Sequence, residues 1–227
     1  TEYCEPNILW SISAIPNDPS YSSMYAAQKL RLPQAWNSQR GDQNILIAVL
    51  DTGVDYLHED LGANMWVNPL EIAGNGVDDD GNGYIDDLYG IDTFNMDSDP
   101  RDDHGHGTHV AGTIGAVGDN GTGITGVTWN TKVMALKFLG SNGSGSTLNA
   151  VTAINYAISH GVDVINASFG GSFFSQALYE AVERAEKAGI IFVAAAGNSN
   201  RDNDLTPQYP SGFNLPNVVA VAASDKD

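Results

Sequence analysis

The stretch that decides the fold is Ile45-Leu46-Ile47-Ala48-Val49-Leu50-Asp51-Thr52-Gly53, in which an apolar run leads directly into an aspartate. A continuous apolar run of this length is typical of a strand that is buried on both faces of a parallel sheet. In such sheets the ligands sit at the carboxyl ends of the strands. The stretch therefore predicts a central strand that presents Asp51 at a functional edge.

Further apolar runs follow along the chain, and helical patterns separate them. The runs cover residues 133–139, 162–167, 190–195 and 218–222. Apolar residues recur at helical spacing over 148–158, after the expected N-cap Thr147, and over 178–185, before a stop at Gly189. This alternation predicts an α/β fold with three layers, a mostly parallel sheet with helices on both faces.

Length and composition favour one domain with one inserted segment. A chain of 227 residues, 42% of them hydrophobic, can bury a single sizeable core. Residues 62–105 are rich in glycine, aspartate and asparagine. We therefore expect an inserted, loop-rich segment there rather than a linker between domains.

Charge argues against a nucleic-acid partner. The chain carries 28 acidic and 10 basic side chains, a formal net charge of -18, whereas a phosphate backbone needs a basic face. The aspartates bunch at residues 78–103, a pattern that indicates hard cations with oxygen ligands. No apolar run in the sequence is long enough to cross a membrane.

Four polar features are expected to meet at one edge of the sheet. Asp51 follows the first strand, residues 168–171 follow another, and Asn198 follows a third, while His106 precedes a small-residue helix over 110–116. An acid, an imidazole and a side-chain amide are the groups that acyl transfer requires. We therefore predict catalytic roles for Asp51, His106 and Asn198.

These residues resemble the subtilisin-like serine peptidases (subtilases), in particular the thermitase branch, from about residue 16 onward. The motifs that carry the resemblance are Asp51-Thr52-Gly53, His106-Gly107-Thr108-His109-Val110-Ala111-Gly112-Thr113, Asn166-Ala167-Ser168-Phe169-Gly170-Gly171 and Ala195-Ala196-Gly197-Asn198.

The resemblance implies a role for each motif. Asp51 would orient His106, which would move the proton of a serine, and Asn198 would donate to the oxyanion. A protein or peptide substrate would pair as an added strand with Ser168, Phe169 and Gly170. With Ala195, Ala196 and Gly197, these residues would wall an open apolar pocket for the side chain before the scissile bond.

The nucleophile does not appear in this sequence. The family's serine lies in a Gly-Thr-Ser-Met-Ala segment, and the 227 residues contain neither that segment nor a Gly-x-Ser-x-Gly elbow. We therefore expect residues 16–227 to be the N-terminal part of a catalytic domain, inactive alone and open to a complementing C-terminal segment. The alternatives are a catalytically inactive peptide-binding module and a calcium-binding fragment.

The first residues resemble the end of an inhibitory propeptide. Residues 1–15, which include Glu2-Tyr3-Cys4-Glu5-Pro6-Asn7, are expected to be that propeptide end or else an ordinary N-terminal arm. By family analogy we expect an extracellular or cell-envelope location.

The resemblance also implies two calcium sites. In the thermitase pattern, one calcium ties an N-terminal aspartate to two later segments, and its ligands here are Asp18, Asp60, Asn120 by side chain, and Val117, Thr122 and Ile124 by carbonyl. The second site comprises Asp92, Asn95, Asp97 and Asp99. Arg101 stands where the family offers a neutral oxygen ligand, so its guanidinium would either oppose metal binding there or point away from the site.

A third calcium candidate follows from loop spacing. Oxygen ligands at positions 1, 3 and 5 and a glycine at position 6 follow the logic of the EF-hand loop. Position 12 is Tyr89 rather than glutamate, so Asp86 or Asp87 would have to close the shell. The candidate ligands are Asp78, Asp80, Asn82, Tyr84, Asp86 and Asp87. A solvated acidic loop is the alternative, so one to three calcium ions are expected.

Three histidines offer a different reading as a zinc cluster. His104, His106 and His109 have spacing that can supply tetrahedral nitrogen ligands. Zinc hydrolases usually add a carboxylate ligand and a general-base glutamate, and the sequence has no His-Glu-x-x-His. The peptidase interpretation is therefore preferred.

Overall fold

The computed structural model describes residues 14–225, so most of the predicted segment 1–15 lies outside the described residues. Two short 3-10 helices cover Tyr21–Ser23 and Gly62–Asn64. The other elements in chain order are α1 (Tyr25–Lys29), α2 (Leu32–Ala35), β1 (Gly41–Asp51), β2 (Gly90–Asp92), α3 (His106–Gly115), β3 (Asn130–Lys137), α4 (Thr147–Ser159), β4 (Val164–Ala167), α5 (Gln176–Lys187), β5 (Ile191–Ala195) and β6 (Val218–Val221).

The strands form one parallel sheet in the order β2-β3-β1-β4-β5-β6. The apolar run of β1 lies in the middle of the sheet, between β3 and β4, which is why it carries no polar side chain from residue 45 to residue 50. The predicted parallel α/β architecture is confirmed.

Helices cover both faces of the sheet. On one face α4 and α5 bury a core that includes Leu50, Ile154, Ile165, Val182 and Phe192. On the other face α3 packs through Ala111 against Val49, Val133 and Ala135. None of the helices within residues 14–225 is long and apolar enough to cross a membrane.

The structure departs from the sequence expectations at three places. The segment 62–105 contributes the edge strand β2, which pairs with β3, in addition to its loops. The side chain that caps α4 is Ser146, because its hydroxyl accepts the N–H of Asn149, and Thr147 is the first helical residue. His106 does not precede α3 but begins it.

Strand register aligns three sites at the carboxyl edge. Val49 lies opposite Asn166 of β4, and Asn166 lies opposite Val193 of β5. Extending this register by two residues reaches Asp51 at the end of β1, Ser168 directly after β4 and Ala195 at the end of β5, so the three lie at the same edge of neighbouring strands, which are about 4.8 Å apart. The fold thus places the predicted acid beside the predicted substrate pocket.

Truncating the α4 core contact should destabilise the chain strongly. Ile154 is 0% exposed, so Ile154→Ala leaves a cavity and should lower the free energy of unfolding by about 2–5 kcal/mol. Leu148 on the same helix is 74% exposed, so Leu148→Ala should change it by less than about 0.5 kcal/mol. Urea unfolding of both variants measures the difference, and equal losses would contradict this assignment of the core.

Candidate active site

The structure brings Asp51 and His106 into direct contact. Nδ1 of His106 lies 2.7 Å from Oδ1 of Asp51. The Asp51 side chain is fully buried, whereas that of His106 is 45% exposed. Oδ2 of Asp51 is buried without a hydrogen-bond partner among the described residues, so the carboxylate is compensated through Oδ1, by the imidazole and by the N–H of Thr52 at 2.7 Å. The pair can therefore hold a histidine in one tautomer with its other nitrogen free for proton transfer.

Two glycines let the backbone of α3 approach the end of β1 this closely. A Cβ on Gly107 would lie 2.1 Å from the carbonyl oxygen of Gly53. Gly53 itself has a φ of +105°, and a Cβ there would lie 2.5 Å from the carbonyl oxygen of Pro100. Gly107 is thus required by close contact, and Gly53 both by close contact and by its positive φ.

Asp102 fastens the start of α3 to the residue after Asp51. Its carboxylate accepts the N–H of Thr108, the third helical residue, at 2.9 Å, and the hydroxyl of Thr52 at 2.9 Å. The Thr52 hydroxyl in turn accepts the N–H of Gly107 at 2.9 Å. Burial acts to raise the pKa of the Asp102 carboxyl, but hydrogen bonds from Thr108, Gly105 and His104 outweigh it and hold that pKa below its usual value.

A buried lysine lies beneath the same contact. Lys137 is 1% exposed, and its ammonium donates to the carbonyls of Thr52 and Leu139 and to Oδ1 of Asp103, the last at 2.7 Å. Every donor of the ammonium is therefore satisfied, which burial of a charge requires. Through Thr52, Lys137 fixes the backbone next to Asp51.

Asn198 lines a cavity together with most of the predicted substrate residues. The cavity has a volume of about 360 Å³, and Ser168, Phe169, Gly170, Ala195, Gly197, Asn198 and Gln208 lie around it. Ala196 is not among its lining residues, because its carbonyl accepts a bond from Asn203 and its N–H donates to Val221. The exposed Asn198 amide makes no hydrogen bond among the described residues and is available as a donor.

Residues 168–170, which are predicted to pair with the substrate, have backbone groups that are not hydrogen-bonded to the backbone of other described residues. Among residues 14–225, no backbone–backbone hydrogen bond involves Ser168, Phe169 or Gly170, whereas Gly171 exchanges two with Tyr209. Beside this strand, a second cavity of about 320 Å³ extends between residues 143–147 and 169–171. An extended peptide can therefore add to this edge with a side chain in the cavity.

The ligands predicted for the first calcium site converge. Asp18 accepts the N–H of Asp119, and Asp60 accepts that of Ile124. The amide nitrogen of Asn120, rather than its oxygen, faces Asp60 at 2.8 Å. Among the described residues, the carbonyls of Val117, Thr122 and Ile124 accept no hydrogen bond, which leaves them free to bind a cation.

The residues of the second calcium prediction are less closely gathered. Asp92 is buried and accepts bonds from Phe94 and Asn95, while Asp97 accepts the N–H of Asp99. Asp99 accepts the hydroxyl of Tyr56, and burial together with Asp99 raises the pKa of Tyr56 to about 12. Asp92, Asp97 and Asp99 are not among the metal-competent groups of three found between residues 14 and 225.

The third site assembles with a different set of side chains. Asp78 and Asp80 lie close together, and Glu71 joins them, with ligand atoms within 4.8 Å of one another. Asn82 donates from its amide to Asp80 and Asp87 and accepts the N–H of Tyr84. The Asp86 carboxylate points away from this group and accepts the N–H groups of Asn75 and Gly76.

The three histidines of the zinc alternative do not form a metal-competent group in the part of the chain that the structure describes. His104 and His106 have ring centroids 6.3 Å apart. His106 is instead engaged with Asp51.

Sequence reasoning missed Glu71, Lys137, His160 and Gln208. Lys137 sits inside the apolar run 133–139, which was assigned only to a buried strand. Glu71 precedes the loop and falls outside the EF-hand spacing, whereas His160 and Gln208 lie farther along the chain from the groups they meet, so spacing gives no signal for the three. The Lys137 position alone offered a clue, since a charge inside an otherwise buried strand demands partners.

The sequence of this chain matches a family model and is similar to two known proteinases. The model of the subtilase family matches residues 42–227. The thermophilic serine proteinase of Bacillus sp. (strain AK1) is 36% identical over 99% of this chain, and thermitase of Thermoactinomyces vulgaris is 37% identical over 93%. The chain spans 50% of the first relative and 66% of the second.

The fold is also similar to that of a solved protease structure. A protease structure from Pseudoalteromonas arctica superposes with a TM-score of 0.73 at 33% identity, covering 94% of this chain and 67% of that one.

Removing the Asp102 charge should weaken the start of α3 in a pH-dependent way. Asp102→Asn should lower the free energy of unfolding by about 1–3 kcal/mol at pH 7, because bonds to a charged acceptor are lost. Because the pKa of Asp102 is lower in the folded chain than in the unfolded chain, its carboxylate stabilises the fold at pH values above the unfolded pKa of about 3.9. This stabilisation is lost as the pH falls through the folded pKa. The difference from the unmodified protein should therefore shrink below about pH 4.

Denaturant unfolding at several pH values measures this effect. The exposed Asp42 bonds to the neighbouring Asn44, so Asp42→Asn is the matched control and should change stability little. A pH-independent loss in Asp102→Asn would contradict the electrostatic role.

Proposed function

Because the chain belongs to the subtilase family, we propose that it carries the acid, the base and the oxyanion donor of a serine endopeptidase. The observation that carries this proposal is the 2.7 Å contact between Asp51 and His106. The proposal assigns the nucleophile to a serine outside these 227 residues, since no Gly-Thr-Ser segment occurs among them.

In the proposed reaction each group has one task. Asp51 keeps the proton of His106 on Nδ1, so that Nε2 accepts the proton of the serine hydroxyl. The alkoxide attacks the scissile carbonyl, and the imidazolium then returns the proton to the leaving amine. Asn198 donates its side-chain N–H to the negative oxygen of the tetrahedral intermediate. Water completes the cycle by the same route.

The proposed substrate is an extended protein segment. Backbone groups of Ser168, Phe169 and Gly170 are free to pair with it as an added strand. The walls of the 360 Å³ cavity carry no charged side chain and include the amides of Asn198 and Gln208, so they favour an uncharged side chain before the scissile bond. The neighbouring cavity, lined in part by Phe138, Leu139 and Leu178, suits an apolar side chain further along the peptide.

The outer face of β5 and β6 supports a complementing segment. Ile191, Val219 and Val221 point to this face and are about half exposed, so apolar surface is left uncovered. The proposal is that a later segment, bearing the serine, packs on this face. A propeptide is a further proposed partner. Residues 1–13, which belong to its expected end, lie outside the described residues.

A peptide-binding module without turnover is the second candidate. The free backbone groups of 168–170 favour it, because strand addition requires no serine. In that case peptide binds at this edge and is released unchanged.

One experiment separates the two candidates. The protein is expressed from its complete reading frame and treated with a fluorophosphonate, which labels only an activated serine. The peptidase proposal expects labelling that His106→Ala abolishes. Peptide binding without any labelling would favour the module, and labelling that survives in His106→Ala would contradict the role of His106.

Loss of the Asn198 amide should slow the chemical step. In subtilisin itself, removal of the side-chain oxyanion donor is known to cost about 100- to 1000-fold in kcat, and the same range is expected for Asn198→Ala. KM should change little, because the donor acts on the transition state. Peptide hydrolysis kinetics of the complete protein measure both constants, and an equal rise in KM would contradict the assignment.

Calcium is proposed to stabilise the fold at up to three sites. The first site fits best, because Asp18, Asp60 and three free carbonyls supply the hard oxygen donors that calcium prefers. Asn120 contributes if its amide turns its oxygen inward. Bound calcium would tie the N-terminal segment around Asp18 to the loop at 117–124.

The other two sites are proposed with the ligands that their geometry leaves available. For the acidic loop these are Glu71, Asp78 and Asp80, with Asn82 and the Tyr84 carbonyl beside them. For the second site they are Asp92, Asn95, Asp97 and Asp99, where Arg101 makes occupancy less favourable. An extracellular or cell-envelope location, where calcium is abundant, accompanies this proposal.

Calcium should raise the melting temperature. With free calcium about 100-fold above its dissociation constant, mass action adds about 2.7 kcal/mol per site, or roughly 5–10 °C for a chain of this size. Asp60→Asn should reduce the difference between calcium and chelator, whereas Glu59→Gln, an exposed neighbour, should keep it. Equal melting temperatures in calcium and chelator would remove the metal proposal.

A further inference from the structure

A buried histidine from the end of α4 points into the acidic loop at 78–87. His160 follows the last residue of α4, and its side chain is 9% exposed. Its Nε2 lies 3.6 Å from Oδ2 of Asp80. The ligand atoms of Asp80, Asp87 and His160 all lie within 4.8 Å of one another. This group contains none of the residues assigned to peptide chemistry.

The ring of His160 is held in one orientation and one tautomer. It stacks on Tyr156 with centroids 4.0 Å apart and meets Trp66 edge-on at 5.4 Å. Nδ1 lies 2.9 Å from the carbonyl oxygen of Tyr156, and because a carbonyl only accepts, Nδ1 carries the hydrogen. The other ring nitrogen, Nε2, faces the carboxylates of Asp80 and Asp87. A bond from Nδ1–H to a backbone carbonyl is the usual support of a metal-binding histidine.

The two carboxylates have no lysine or arginine partner among the described residues. The Asp87 side chain is fully buried and that of Asp80 is 5% exposed. Their hydrogen bonds come from neutral donors, the amides of Asn68 and Asn82 and the hydroxyl of Tyr156. Within residues 14–225, no lysine or arginine pairs with either carboxylate. Nε2 of His160 likewise makes no hydrogen bond there.

We propose that Asp80, Asp87 and His160 bind a divalent transition metal of the zinc class, in addition to any calcium in the loop. Imidazole nitrogen with carboxylate oxygen is a donor set that suits zinc, whereas calcium takes oxygen alone. Zinc bonds of about 2.0–2.2 Å on each side span the 3.6 Å between Nε2 and Asp80. Three protein ligands leave the fourth place of a tetrahedral ion to water or an asparagine oxygen.

Charge balance favours two cations over one. Asp80 belongs both to this group and to the neighbouring group with Glu71 and Asp78. The four carboxylates Glu71, Asp78, Asp80 and Asp87 are neutralised by two divalent ions, one held by oxygen alone and one that also uses His160. Protonation of His160 alone would offset a single charge.

The test is a titration of the 227-residue chain with zinc in millimolar calcium, with binding measured by calorimetry. His160→Gln should weaken zinc binding at least about tenfold, since even loss of a supporting group outside the ligands costs 10- to 100-fold. The calcium-dependent rise in melting temperature should persist in this variant, which shows that the loop still folds. The control is His109→Gln, an exposed histidine on α3, which should bind zinc as the unmodified chain does.

Nitrogen NMR of the unmodified chain provides a readout that needs no variant. Zinc should shift the Nε2 resonance of His160 while Nδ1 keeps its proton. Three results would overturn the site: equal zinc affinity in His160→Gln, zinc-induced shifts at His104 or His106 instead, or no zinc binding with His160 protonated on both nitrogens. None of these results depends on whether the peptidase proposal stands.

Discussion

The close approach of α3 to the end of β1 is the constraint on which the candidate site depends. A fully buried carboxylate is unfavourable unless a partner reaches it, and only a helix start without a side chain at residue 107 can come near enough. Once Gly107 rests against Gly53, the ring of His106 meets Asp51, and Asp102 and Thr52 secure the contact. The short motifs around these residues thus supply the glycines that allow this close packing as well as the polar side chains.

Much of the architecture could be predicted because its signals are local. The apolar run of β1 and the spacing of apolar residues in α4 and α5 state their burial directly. Strand β2 was not predicted, because a three-residue strand inside a loop-rich segment is too short to show a hydrophobic periodicity. The cap of α4 was misplaced by one residue because Ser146 and Thr147 are equally suited by type, and only the backbone decides between them.

The site was predictable where residues adjoin a strand end and unpredictable where side chains meet across the fold. Asp51 and His106 were found from their motifs, but the partners of Asp80 were not. Glu71 and His160 reach that carboxylate from a preceding turn and from the end of a helix about 80 residues later. Asp86 was one of two residues expected to close the metal shell; it has a positive φ of 56° and instead accepts bonds from Asn75 and Gly76.

The strand order places the proposed proton-transfer pair and the proposed peptide-binding residues on different strands of the sheet. The acid and the base come from β1 and α3, whereas the cavity residues and the free amide follow β4 and β5. In the sheet, β3 flanks β1 on the side of the first group, and β6 flanks β5 on the side of the second. Loops after β4 and β5 can therefore diversify, by substitution or insertion, without disturbing the hydrogen bonds that orient the imidazole. Such a division gives the scaffold evolvability: one inherited proton-transfer pair can serve many peptide preferences.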